Sequence, residues 1–100
     1  MFSRFLQEFD AQTLIYKIEA SINEELSSAN EIGGKREYFD DNENKILVSL
    51  SLMQINGRYF SREDFGMDNK NECFQMIRLA IGGNGKCVRS TIRCARVSCD

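Results

Sequence analysis

The sequence predicts an α+β fold in the order α-β-β-β-α-β. It comprises an N-terminal amphipathic helix, an antiparallel sheet of three to four strands built on a central Asn-Gly hairpin, a second helix and a C-terminal strand. Three observations carry this expectation. Leu14, Ile15, Ile18, Ile22 and Leu26 recur at helical spacing, with Lys17, Glu19, Glu24 and Glu25 opposite them. The run KILVSLSLMQI, residues 45–55, is the strongest β signal in the chain. Directly after it stands Asn56-Gly57, the dipeptide that best supplies the two positive φ angles of a type I′ hairpin turn.

Along the chain, residues 3–28 read as helical, with a lapse at 10–13 where no large apolar residue falls. Asp10 is suited to cap a new helix there, and a short preceding turn would carry Phe2, Phe5, Leu6 and Phe9. SSANEIGG is expected to end the helix, with Gly33-Gly34 freeing the backbone. KREYFD (35–40) is a weak strand followed by the turn DNEN; 45–55 is the strong strand; RYFSR (58–62) returns from the hairpin. The second helix begins near Asn69, a capping residue with Glu72 three positions on. It turns Cys73, Phe74, Ile77, Ala80 and Ile81 to one face and stops at Gly82. In the ending KCVRSTIRCARVSCD, residues 87–97 alternate in polarity with period two and read as one strand with a wet face.

A length of 100 residues and a hydrophobic content of 42% suit a single compact domain spanning 1–100. The net charge of −2 conceals a division: residues 1–50 hold ten acids and five bases, residues 51–100 five acids and eight bases. Such polarity suits an oppositely charged partner or a second copy of the chain. The N-terminal MFSRFLQEFD places Gln7, Glu8 and Asp10 where a secretory apolar core would run, so it does not read as a signal peptide. No stretch reaches the ~18 apolar residues of a membrane span. The expectation is a cytoplasmic protein, with no membrane partner, whose four cysteines are reduced thiols.

The cysteines follow from the same premise. On one extended strand, Cys87 and Cys94 point to opposite faces roughly 23 Å apart, far beyond disulfide reach. With no histidine and no Cys-x-x-Cys pair, neither a metal site nor any other cofactor is expected. A Cys73–Cys87 bridge across the glycine-rich turn is the lesser reading in a reducing compartment; Cys94 is expected to fill core volume as a free thiol, and Cys99 to sit in the tail.

Three near-motifs lack their required context. AIGGNGKC (80–87) resembles a phosphate loop in spacing, but it follows a helix where a strand is needed and has cysteine in place of the magnesium-binding hydroxyl. Asp40, Asn42 and Asn44 match the first calcium-loop positions, yet Lys45 and Ser51 stand where glycine and glutamate are required. Asp64-Phe65-Gly66 has meaning only inside a kinase domain, which this length excludes. Without an imidazole base or a plausible carboxylate pair, no catalytic residue is assigned and the chain is read as non-enzymatic, with no small-molecule substrate.

Two functions of different class remain. The first is a protein-interaction module: an adaptor, chaperone or inhibitor of a larger machine, with homodimerisation as its simplest form. Ile46, Val48, Leu50 and Leu52 make an apolar stripe for the helices to cover, while Leu47, Met53 and Ile55 leave the other face partly apolar, to be covered either by a partner or by the N-terminal helix and its Phe-rich start. Leu47, Met53, Tyr59 and Phe60 are the expected contact residues. The second, ranked lower given the sequence pI near 5.2, is nucleic-acid binding. Arg58 and Arg62 around two aromatics, with Arg89 and Arg93 flanking Thr91, would provide a basic stacking surface.

Overall fold

The computed structural model describes residues 10–28, 30–62, 66–82 and 89–99. The Phe-rich segment 1–9, Asp64 and Phe65 of the DFG loop and most of the glycine-rich turn lie outside them. Helix α1 runs Ala11–Leu26, strand β1 Glu31–Phe39, β2 Lys45–Ile55, β3 Arg58–Ser61, helix α2 Lys70–Ile81, β4 Ser90–Thr91 and β5 Ala95–Cys99. The predicted α-β-β-β-α-β order is therefore observed, with the last strand divided in two.

Each helix starts where its capping residue directs. Asp10 accepts a hydrogen bond from the Thr13 amide at 3.0 Å, and Asn69 accepts one from the Glu72 amide at 3.1 Å. The Glu72 carboxylate reaches back to the Asp68 amide, one residue before the cap. Leu14, Ile18, Ile22 and Leu26 of α1 and Cys73, Phe74, Ile77, Ala80 and Ile81 of α2 are buried, as their periodicity requires.

β2 is the centre of the sheet. β1 lies antiparallel along one edge, pairing Glu31 with Met53 through to Phe39 with Lys45. The other edge is shared: β5 pairs with residues 46–50 and β3 with residues 52–55, and β4 extends the sheet beyond β5. Asn56 and Gly57 have φ of 53° and 79°, so the tight hairpin joining β2 to β3 is formed as expected. Because side chains alternate, Ile46, Val48, Leu50 and Leu52 turn to one face, joined by Ile32, Tyr38, Ala95 and Val97. Both helices cover this inner face, α1 against β1 and α2 against β5, and they touch one another. Arg36 ties β1 to α1 through Ser21 Oγ (2.6 Å) and an ion pair with Glu25, and Arg78 of α2 pairs with Glu19 of α1.

The turn 40–44 does more than reverse the chain. The Asp40 carboxylate accepts from the Asn42 and Asn44 amides at 2.9 and 2.8 Å, from Asn44 Nδ2 at 3.0 Å, and from the Asp10 amide at 2.8 Å. One buried side chain thus closes the β1–β2 hairpin and anchors the start of α1.

Three expectations need correction. Gly33-Gly34 does not lie in a loop after the helix: both residues belong to β1, opposite Ser51 and Leu50. Gly34 has φ of 105°, a conformation open to glycine within a strand, so a residue pair that signals a break is here accommodated by the ladder. Residues 87–97 are not one strand. The amides and carbonyls of Ile92 and Ala95 bond one another (2.9 and 3.3 Å), making a tight turn with Arg93 and Cys94 at its tip. The same turn buries Ala95, which a single alternating strand would set on the wet face with Arg89, Thr91 and Arg93, and removes the extended geometry on which the cysteine separation rested.

The third correction concerns the thiols. Cys73 and Cys94 form a disulfide, with Cα atoms 5.8 Å apart and both residues buried. Cys94 is neither a free thiol nor a simple filler, and Cys73 pairs with it and not with Cys87. The bridge fastens the first half of α2 to the tip of the β4–β5 turn.

Candidate functional site

The antiparallel registers lay out the face of the sheet turned away from the helices. Across the middle runs Lys35, Ser49, Arg96 and Thr91, from β1 through β2 and β5 to β4. On one side of it lie Glu37, Leu47 and Ser98. On the other lie Gly33 and Ser51, then Glu31, Met53 and Phe60, and last Ile55 with Arg58. Among the described residues, no helix or loop covers this outer face. Leu47, Met53 and Phe60 are half-buried, and Ile55 is 50% exposed.

Of the four expected contact residues, Leu47, Met53 and Phe60 share this face, and Met53 and Phe60 are directly paired. Tyr59 is not with them. It pairs with Gln54, points to the helix side, packs against the core and receives a hydrogen bond from Gln54 Nε2 at 3.2 Å. A two-residue turn fixes that register, so Asn56-Gly57 already implied that Tyr59 and Phe60 part company.

The four arginines of the nucleic-acid reading are dispersed. Arg58 lies on the outer face opposite Ile55. Arg62, one residue beyond β3, pairs with Glu31 of β1, and this ion pair passes over β2 from one edge to the other. Arg89 is exposed just before β4, and Arg93 sits at the tip of the 92–95 turn, so these two do not flank Thr91 on one strand face. The residue that sequence reading missed is Arg96. It stands at the middle of the outer face between Ser49 and Thr91. The alternation in ARVSC signals an outward Arg96 once a turn is placed before it, but IRCA contains no glycine, proline or asparagine to mark that turn.

Charge on the face is divided. Glu31 and Glu37 lie on β1, Arg58 on β3 and Arg96 on β5, with Lys35 the exception. Lys45 approaches Glu37 at 3.9 Å. Neither Lys35 nor Arg96 has a carboxylate partner among the described ion pairs.

Among the described residues, no group of three or more histidine, cysteine, aspartate or glutamate side chains is placed to hold a metal ion, and no helix is long and apolar enough to cross a membrane. No family model matches this chain, nor does any curated protein or solved structure.

Proposed function

We propose that the protein is a non-enzymatic binding module that receives a protein partner on the outer face of its sheet, as an adaptor, chaperone or inhibitor of a larger assembly. The observation that carries this reading is the grouping of Met53, Ile55 and Phe60, with Leu47 farther along β2 beyond Ser49 and Ser51, on a face that no other described element covers. Apolar side chains grouped on an open sheet face gain by burial against a partner, about 25 cal/mol for each Å² removed from water. A second copy of the chain is the simplest occupant. The acids of β1 already pair within the chain, Glu31 with Arg62 and Glu37 with Lys45, so burial of the apolar side chains, and not charge, would drive the contact between two copies.

The nucleic-acid alternative has less support, because Arg62 is committed to Glu31 and the remaining arginines do not converge on Phe60. The Cys73–Cys94 bridge also favours work in an oxidising compartment over the cytoplasm that reduced thiols implied.

Light scattering with size separation tests the reading. The wild-type chain is expected to self-associate in a salt-tolerant manner, and Met53→Asp or Phe60→Asp to dissociate it at least tenfold more readily with the fold intact. A wild-type chain that stays monomeric at high concentration, and shows no difference from the two variants, would contradict it. Association abolished by moderate salt and restored by removing it would instead favour the arginines over the apolar strip.

A further inference from the structure

Beside the apolar strip, the outer face holds a hollow of about 130 Å³ between β2 and the β4–β5 hairpin. It is lined by Ser49, Ser51, Thr91, Arg93 and Arg96, and among the described residues no carboxylate lines it. The Ser51 amide bonds the Cys94 carbonyl at 3.0 Å, which fixes the turn against β2 and shapes the floor. The Ser51 Oγ is buried and has no hydrogen-bond partner among the described residues. A buried hydroxyl left unpaired is costly, and such groups call for an explanation. Lys35 flanks Ser49 from the β1 side. Hydroxyl donors and guanidinium groups therefore converge at one place on a chain whose net charge is −2.

We propose that this hollow binds a small tetrahedral oxyanion, a phosphate or sulfate group. Arg96 supplies a planar fork of donors suited to two oxygens of such a group. Arg93 adds charge at the rim, and the Ser49, Ser51 and Thr91 hydroxyls donate to the remaining oxygens, with Ser51 Oγ gaining the partner it otherwise lacks. The assignment is independent of the protein-binding reading, since the hollow shares none of Leu47, Met53 and Phe60.

The test uses the full chain with its disulfide intact, labelled for amide NMR and titrated with inorganic phosphate at constant ionic strength. Saturable shifts are expected at Ser49, Ser51, Thr91, Ala95 and Arg96. Arg96→Gln should weaken the apparent affinity at least tenfold and Ser51→Ala several-fold, while Met53→Asp leaves it unchanged. Thr91→Val, at an exposed strand position, provides an independent variant should Ser51→Ala disturb the sheet, and it too should weaken binding. A parallel titration with O-phosphoserine separates the sources: tighter binding assigns a phosphoryl group carried on a larger molecule, and equal binding assigns the free ion. Shifts that fail to saturate, that spread over distant lysines such as Lys17 and Lys70, or that survive Arg96→Gln unaltered would overturn the proposal.

Discussion

Replacing Cys73 and Cys94 together by alanine is expected to cost about 3 kcal/mol of folding stability, the loss associated with opening a cross-linked loop of this length. The two cysteines are 21 residues apart, and between them run most of α2, the glycine-rich turn and β4. β4 contributes only two residues to the sheet, and the turn after it has neither glycine nor proline to pre-form it. The bridge is thus the covalent constraint that holds the β4–β5 hairpin beside α2, where other contacts are few. For a domain of this size, each kcal/mol corresponds to about 4–8 °C in Tm, so the double variant should melt at least about 12 °C below the wild type. Reductant should lower the wild-type Tm by a similar amount and leave the double variant unmoved. Equal melting temperatures with and without reductant would show that the bridge is absent or without consequence.

Asp40→Ala is expected to destabilise by about 3 kcal/mol, because hydrogen bonds to a charged group contribute about 1.5–3 kcal/mol and the donors left behind are partly buried. Four donors converge on this carboxylate, from the β1–β2 turn and from the amide that precedes α1. Burial works to raise its pKa, but the bonds from the Asp10 amide, the Asn44 side chain and the Asn44 and Asn42 amides outweigh it and hold the carboxyl below its ordinary 3.8. Since the folded value is depressed, the contribution is complete above the unfolded value and is lost as pH falls through the folded one. Stability of the wild type should therefore decline as pH drops below about 4, and Asp40→Ala should flatten that decline. The neighbouring Asp10 carboxyl is lowered as well, by the Thr13 hydroxyl and then the Thr13 amide, so some acid dependence persists in the variant. Asp40→Asn keeps one acceptor for the turn amides but sets a donor or a poorer acceptor against the Asp10 amide, which places it between the wild type and alanine. Denaturant unfolding of the three proteins at neutral pH and at pH 3 decides the matter; identical pH slopes would refute the role given to Asp40.

Where the physics is local, the residues already declare the structure. Asp10 and Asn69 announce their caps, the spacing of Leu14, Ile18, Ile22 and Leu26 announces a buried helical stripe, and Asn56-Gly57 fixes a hairpin together with its register. Three features depend on contacts distant in sequence and escape such reading. Gly33-Gly34 carries the local signature of a break, and only pairing with Leu50 and Ser51 makes it strand. The 92–95 turn lacks a breaker and is held by the disulfide and by the Ser51–Cys94 bond. Four cysteines admit several pairings, and the approach of Cys73 to Cys94 exists only once α2 is packed on β5. The apolar strip was legible from the alternation in KILVSLSLMQI. Arg96 and the hollow were not, because both depend on the turn.

One face of the sheet is closed by helices, and no described element covers the other. Solvent paramagnetic relaxation of side-chain methyl signals, recorded on dilute protein with a soluble spin probe, measures this directly. Strong broadening is expected at Leu47, Met53 and Ile55 beside near-silent Ile46, Val48 and Leu52, and under the proposed self-association it should lessen as the protein is concentrated. Equal protection of both sets in dilute, monomeric protein would contradict this expectation.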